Sequence, residues 1–477
     1  MSRVKLLSKM MEKYPKPSMQ PDIIHKFKGK IIVLDDDPTG TQTMHGVPVY
    51  MDWFLGTCEH IFAGESQIAF ILTNSRSFSA EHTKKVHKEI ADRLFIVSQI
   101  AEIPFLLISR SDSTLRGHWP LETEVLRDTL EQKSNANFDG EIICPFFNGG
   151  GRYTIEGVHY VEYNDELLPV GESEFASDKT FGYKNSHLAN WIEEKTQGSI
   201  SASDVKEITL EMYNDPTSIF DMLMSLSGFE KLIVNAMYQN HLDILCNCIW
   251  QAIEAGKMFL FRTAAPFINA LGCVPFHENL CDSKILESST HNGGLIIAGS
   301  HTSRTSEQLQ NLSKFPGITF VNFDQRKALL TDEDFEAEVL QASKICTIAL
   351  KAGKNVVLST SRQRVDIETG NPEDELLFAV KISKGLSRVV AKLDCTPKFI
   401  MAKGGITSSD IATDGLTIRR AEIIGQAAQG VPVWRCGEES RFPGLGYVIF
   451  PGNVGDAMLL YDLVARLTLH DVGELHE

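Results

Sequence analysis

The sequence predicts an α/β protein of two domains, each with a mostly parallel sheet flanked by helices, and with the active site in the interdomain cleft. Three observations carry this reading. Strand-like apolar runs alternate with helix-length segments, the series occurs twice, and 477 residues are too many for one ordinary core.

In the first series, β-like runs at 31–34, 68–72, 105–109 and 141–144 are separated by stretches long enough for helices. Segments 80–98 and 118–132 carry the mixed apolar and charged pattern such helices need. Runs at 231–235 and 257–261, on either side of a helix-like segment at 240–255, continue the pattern. Repeated strand, helix and strand imply a parallel sheet covered on both faces. The stretch 148–182 differs, with Gly149-Gly150-Gly151, several aromatics and little periodicity. Its length makes it either a functional loop or a small appendage.

The second series has runs at 294–298, 318–322, 355–359, 398–402 and 446–450, with helix-like segments at 302–314, 332–352 and 375–393. The polar, Gly-containing stretch 283–294 is the expected hinge, which gives domains 1–285, including an N-terminal extension, and 286–477. No internal repeat stands out.

Hydrophobic residues at 43% and charged residues at 23% fit a folded globular chain. The net charge of -16 argues against a nucleic-acid partner but not against a local basic pocket for an anionic metabolite. Nine cysteines, Cys246 and Cys248 among them, show no metal-ligand framework and no disulfide scaffold, so reduced thiols are expected. Residues 1–21 lack the apolar core of a signal peptide, and the runs 292–299 and 344–350 are too short to span a bilayer. A cytoplasmic protein with no membrane partner is expected; oligomeric state is left open, a homo-oligomer included.

Chemistry gathers at strand ends. Asp35-Asp36-Asp37-Pro38-Thr39-Gly40 directly follows Ile31–Leu34, and three adjacent like charges need something positioned to use them. If the strand persisted, Asp35 and Asp37 would share a face; a turn starting at Asp37-Pro38 would break that rule. An acidic turn is the structural alternative, since Asp-Pro-Thr-Gly is also good turn chemistry. Ser109 to His118 follows Phe105–Ile108 and brings Arg110, Asp112, Ser113 and Arg116, whose guanidinium forks match a carboxylate or phosphoryl group. Asn74-Ser75-Arg76 follows the run 68–72 in the same way. Together these ends describe a pocket for a hydroxylated anion. His159 is either a substrate-orienting group or a hydrogen-bonded structural histidine.

The second half carries glycine and hydroxyl loops instead. Gly299-Ser300-His301-Thr302 follows Leu295–Ala298, where backbone N–H and O–H donors suit an anion, although Ser or Thr there is also ordinary helix capping. Lys403-Gly404-Gly405-Ile406-Thr407 follows Phe399–Met401, and Pro451-Gly452-Asn453-Val454-Gly455 follows Tyr447–Phe450. Three such loops suit the phosphates of a nucleotide. There is no Walker A sequence, no G-x-G-x-x-G fingerprint and no protein-kinase or zinc motif.

In order, these elements resemble the four-carbon acid sugar kinase family. The resemblance rests on Asp36-Asp37-Pro38-Thr39-Gly40, Asp112-Ser113-Thr114-Leu115-Arg116-Gly117, Gly157-Val158-His159-Tyr160, Gly404-Gly405-Ile406-Thr407 and Pro451-Gly452-Asn453-Val454-Gly455, and it covers roughly residues 30–465. It implies an N-terminal domain for the acid sugar, a C-terminal domain for ATP, and phosphorylation of a tetronate or 2-oxo-tetronate. It would place Asp36 and Asp37 at the sugar hydroxyls, Arg116 near the sugar acid, and Gly404, Gly405 and Thr407 beside ATP. Two departures bear on phosphate contacts: Phe450 stands where many relatives have Lys, and Ile406 where many have Glu.

The expected reaction is transfer of the γ-phosphoryl group of ATP, with Mg²⁺, to a hydroxyl of a small sugar acid. Asp37, or else Asp36, is the expected base. Asp35, Asn74, Arg76, Arg110, Asp112, Ser113, Arg116 and His159 are expected at the acid sugar. Ser300, Thr302, Gly404, Gly405, Thr407, Gly452, Asn453 and Gly455 are expected at the nucleotide. Metal ligands are not assigned. The rivals are a metal-dependent isomerase or aldolase of sugar acids, which would not consume ATP, and a non-catalytic small-anion sensor, which would need no cluster of three acids.

Overall fold

The computed structural model describes residues 5–18, 26–134, 136–163, 165–275, 279–286, 290–299, 302–361, 365, 372–452 and 454–469. The chain forms two compact units, Met1–Asp36 with Asp52–Phe276, and Asp37–Met51 with His277–Glu477.

In the first unit, parallel strands lie in the order Lys206–Ile208, Glu230–Val234, Gly140–Cys144, Phe259–Thr263, Phe105–Arg110, Lys30–Asp35 and Ile68–Leu72. Lys30–Asp35 is buried throughout, as a strand covered on both faces must be, which explains its unbroken apolar run. The covering helices bury one stripe each. In Ala80–Ala101 that stripe runs through Val86, Ile90, Leu94 and Val97, at the helical spacing, and the Ser79 side chain caps the N-terminus by accepting from His82 N. Lys30–Asp35 pairs on one side with Ile68–Leu72, the next strand of this unit, and on the other with Phe105–Arg110, the one after it, so the winding reverses there. Open α/β sheets hold ligands at the carboxyl ends of strands at such a reversal.

The aperiodic excursion after Asn148 is an appended sheet. It is four-stranded and antiparallel, in the order Lys5–Leu6, Glu166–Pro169, Val158–Tyr163 and Arg152–Ile155. Glu156 fastens the N-terminal segment to it, accepting from Lys5 Nζ at 2.8 Å, Lys13 Nζ at 2.5 Å and Tyr14 Oη at 2.9 Å. Its helical-spacing signal was absent because its strands are short and its partner strand lies at the chain's start.

In the second unit the order is Val47–Tyr50, Arg420–Ala428, Val431–Cys436, Gly446–Phe450, Ile400–Lys403, Leu295–Ala298, Asn355–Thr360 and Ile318–Phe323. From Gly446–Phe450 onward the pairing is parallel, as expected; the first strands pair antiparallel. Those antiparallel strands were not legible as apolar runs, because Arg420–Ala428 alternates exposed and buried residues at its start and carries register shifts around Gly425. Their pairing also explains why Asp37–Met51 belongs with the C-terminal half, where contiguous domains of 1–285 and 286–477 were expected. Val47–Tyr50 pairs with Arg420–Ile423, and Trp434 Nε1 donates to Thr41 Oγ1 at 2.9 Å. Among the described residues no helix is long and apolar enough to cross a membrane.

Candidate functional site

The three acidic residues part company at the end of one strand. The strand ends at Asp35, and Asp37 caps a 3-10 turn, Pro38–Thr41, with Pro in the first position where its missing N–H costs nothing. Asp37 accepts from Thr39 N at 2.7 Å and from Thr39 Oγ1. The shared face for Asp35 and Asp37 is therefore lost, and the division between the units falls between Asp36 and Asp37.

In the first unit the sheet brings the three predicted strand ends side by side, since Asp35 is in register with both Arg110 and Leu72. Asp36 is buried and takes a fork of two bonds from Arg76, Nη2 at 2.6 Å and Nε at 3.1 Å. Arg110 Nη1 reaches Asp35 Oδ1 at 3.1 Å and Asp36 Oδ1 at 3.4 Å. Asn74, at φ 55, turns the chain that delivers Arg76. The two acids are thus each set against a guanidinium group.

The loop from Ser111 to Gly117 is held in an unusual shape. Leu115 has φ 67 with its side chain fully buried, and Gly117 has φ 121 where a Cβ would sit 3.4 Å from Asp36 Oδ2. Left-handed backbone at a non-glycine residue persists only where surroundings enforce it. Here Tyr183 Oη donates to Thr114 O at 2.5 Å, and His159 bonds Ser113 O through Nε2 at 2.7 Å. Asp112 accepts from Arg116 Nε at 2.7 Å and from Thr114 Oγ1. Burial works against the Asp112 charge, yet Arg116 and Arg76 hold its carboxyl well below the usual carboxylate range. Arg116 keeps a part-exposed side chain, with Asp178 3.8 Å from Nη1.

His159 is fully buried and both ring nitrogens are engaged, Nδ1 with Thr154 Oγ1 at 2.9 Å. Of the two readings, the geometry is that of the hydrogen-bonded histidine: its ring holds Ser113 in place and presents no nitrogen to a ligand. Burial pushes its pKa down to about 4, against an ordinary value near 6.5. The unfolded chain therefore takes up a proton before the folded one does. His159 contributes stability that is complete above the unfolded value and is lost as pH falls from about 6.5 toward 4. Between pH 6 and 5, the slope of unfolding free energy against pH should be smaller by up to about one proton in His159→Gln than in the wild type; equal slopes in the two proteins would exclude this linkage.

In the second unit the three glycine loops also meet, because Leu295–Ala298, Ile400–Lys403 and Gly446–Phe450 are adjacent strands. Gly404 N donates to Phe450 O at 2.9 Å, and Thr302 Oγ1 donates to Gly452 O at 2.8 Å. Gly404, at φ 111, makes the turn into the short helix Gly405–Asp410, which carries Thr407 in its first turn. Gly299 must stay bare because a side chain would collide with Thr407. Gly455, at φ 81, turns the third loop toward the helix Leu459–Leu469. Ser300 and Asn453 lie outside the described residues.

Asp37 belongs to this second cluster. A Cβ at Gly405 would lie 2.5 Å from Asp37 Oδ2, so the carboxylate packs directly on the bare main chain of the turn. Phe450, where many relatives have Lys, meets a lysine of the neighbouring strand. Lys403 is in register with Phe450, its Nζ sits 3.7 Å from the centre of that ring, and it donates to Pro451 O at 3.1 Å. Among the described residues no three His, Cys, Asp or Glu side chains converge to hold a metal ion.

Residues 31–271 match a sugar-binding N-terminal domain model and residues 295–460 a nucleotide-binding C-terminal domain model. The chain belongs to the four-carbon acid sugar kinase family. The strand ends with Asp35, Arg76, Arg110 and Asp112 thus lie in its sugar-binding domain, and the Gly404 and Gly452 loops in its nucleotide-binding domain. No curated protein matches the chain. Among solved structures, a Salmonella typhimurium LT2 protein provisionally named a tRNA synthase is 16% identical with TM-score 0.63, covering 92% of this chain and 98% of its own. A Haemophilus influenzae protein of the DUF1537 family is 16% identical with TM-score 0.54, covering 92% of this chain and 100% of its own. At that identity the two likenesses establish the fold alone.

Sequence reading missed Arg262 in the sugar-binding unit and assigned no role to Arg152 of the glycine-rich stretch. Arg152 and Arg262 are both buried, 5% and 1% exposed. The signal was a lone cation near the end of a buried strand, in Phe259-Leu260-Phe261-Arg262-Thr263, which reads as an ordinary strand unless the burial of each side chain is known.

Proposed function

We propose that this protein is an ATP-dependent kinase that phosphorylates a hydroxyl of a small sugar acid, of the size of a tetronate or 2-oxo-tetronate. The observation that carries the reading is the placement of Asp37, a carboxylate packed on the bare turn at Gly405, one residue after an acid locked to arginine. Consecutive Cα atoms are about 3.8 Å apart. In this reading the chain carries one acid for each unit at adjacent positions, Asp36 with the arginines and Asp37 with the glycine turn.

In this reading the two acids divide the work. Both oxygens of Asp36 are engaged by Arg76, so it orients Arg76 and Arg110 around the sugar acid. Asp37 has one oxygen facing Gly405 and takes the proton from the acceptor hydroxyl as the new P–O bond forms, while the bond from the γ-phosphorus to the ADP oxygen breaks. Asp112 and Arg116 are the groups of the strained loop available to sugar hydroxyls. The turn at Gly404 and Gly405 and the hydroxyl of Thr407 cradle phosphate oxygens, with Lys403 behind them.

The residues present fit a magnesium ion in the way that nucleotide enzymes hold one, on one or two carboxylates with the remaining positions taken by phosphates and water. Among the described residues no carboxylate cluster holds the ion by itself, so it would come with the phosphates of the nucleotide, and Asp37 is kept for the proton. The ion supplies charge neutralisation on the transferring group. Titration calorimetry of the intact chain with MgATP tests the nucleotide half of the reading: saturable binding is expected, and no detectable heat of binding at millimolar nucleotide would remove it.

A further inference from the structure

Among the described residues, Arg262 and Arg152 of the sugar-binding unit carry buried guanidinium nitrogens without a hydrogen-bond partner. Arg262 has no partner at Nε, Nη1 or Nη2, and its one close ring contact is with Trp191, 5.2 Å from guanidinium to ring centre. Trp191 Nε1 is itself buried without a partner. Arg152 has no partner at its buried Nε and packs over Phe175 at 5.6 Å; the same ring carries Arg116 at 5.1 Å. Trp191 and Phe175 belong to one buried apolar cluster, and both cations lie close enough to His159 and to Tyr183 to act on them electrostatically.

The carboxylates that act most strongly on Arg262 are each bonded elsewhere. They are Asp36, Asp112, Glu122 and Glu141. Arg76 and Arg110 hold Asp36, and Arg116 holds Asp112. Ser75 Oγ donates to Glu122 at 2.5 Å, while Glu141 takes Lys231 Nζ at 2.6 Å and Trp119 Nε1 at 2.7 Å. Burial lowers the pKa of both Arg152 and Arg262, whereas Asp112 beside Arg116 raises that of Arg116 against its own burial. Two positive charges are thus left without a counter-charge in contact.

Buried polar groups are nearly always hydrogen-bonded, and a guanidinium has five donors to satisfy. The guanidinium groups of Arg262 and Arg152 and the indole N–H of Trp191 offer protons and accept none. Water fits such a set poorly, since each molecule brings two donors of its own. A carboxylate, which only accepts and matches the guanidinium fork, fits it well. A phosphate dianion fits less well, because Asp36 and Asp112 already place negative charge nearby.

We propose that Arg152 and Arg262 form the seat for the carboxylate of the acid bound by this unit, with Trp191 Nε1 as a further donor. The inference rests on the sugar-acid reading of the unit and goes past it by assigning the carboxylate to two residues outside the strand-end motifs. Arg110 and Arg116, held by acids, then serve to shape the site rather than to take the acid group alone.

The test is calorimetry of the full chain, without nucleotide, against four- to six-carbon aldonates and the neutral polyol erythritol. The wild type should bind at least one aldonate about 100-fold more tightly than erythritol, as charge-assisted bonds require. Arg152→Gln and Arg262→Met should each weaken that aldonate about 30-fold and leave erythritol unchanged. Arg262→Met should also melt no lower than the wild type when empty, because it removes a buried charge that nothing pairs. Aldonate binding within twofold of wild type in either variant, or a lower melting temperature for empty Arg262→Met, would overturn the assignment while leaving the kinase reading intact. Absence of binding by every aldonate would overturn it as well. Aldonate binding lost in both variants, in a protein that transfers no phosphoryl group from ATP, would uphold the seat and refute the kinase reading.

Discussion

Asp37→Asn is expected to lower kcat by about 10²–10⁴-fold while leaving MgATP affinity within a few fold. The amide keeps the size of the side chain and its oxygen can still accept from Thr39 N, so the turn Pro38–Thr41 survives. What it loses is the ability to take a proton from the acceptor hydroxyl. Because Asp37 packs on the turn at Gly405, that loss falls where the phosphoryl group would be held. Steady-state rates with saturating sugar acid, together with nucleotide calorimetry, separate the two effects. Turnover near wild type would exclude Asp37 as the base.

Asp36→Ala is expected to act first on stability, by about 3–5 kcal/mol, the usual cost of stripping one partner from a buried ion pair. Asp36 is 2% exposed and takes both bonds of Arg76 as well as the longer one from Arg110, so the substitution strands guanidinium charge inside the sheet's carboxyl edge. The transition of the sugar-binding unit should shift to lower denaturant, and sugar-acid binding should weaken with it. An unchanged midpoint would contradict the placement of Asp36 as the keystone of that arginine cluster. Neighbouring aspartates are thus expected to fail differently, one in chemistry and the other in folding.

The two sheets were legible wherever strands are parallel and covered on both faces, since burial on both sides demands continuous apolar runs such as Ile31–Leu34 and Leu295–Ala298. The strand-end residues Asp35, Arg76 and Arg110 were legible for the same reason: polar groups directly after such runs mark the carboxyl edge. The pairing of Val47–Tyr50 with Arg420–Ile423 was not, because it joins segments far apart in sequence and only one side alternates in polarity. Nor was the parting of Asp36 from Asp37, which depends on which unit the turn after Pro38 packs against.

The role of His159 was open in the sequence because a histidine's neighbours decide it, and here those neighbours are Ser113 O and Thr154 Oγ1. Arg262 was invisible for the opposite reason. Its significance is a lack of partners, and a sequence shows residues without showing which of them meet. The departure at Phe450 was visible, but the position of Lys403 over that ring needed the register of two strands.

The most direct test of the central claim is an assay of the purified chain with ATP, Mg²⁺ and a panel of four-, five- and six-carbon aldonates and their 2-oxo forms, with the phosphorylated position identified in any product. Stoichiometric ADP and a phosphorylated four-carbon acid are the predicted result. Binding of the acids with no ATP-dependent product from any of them would contradict it.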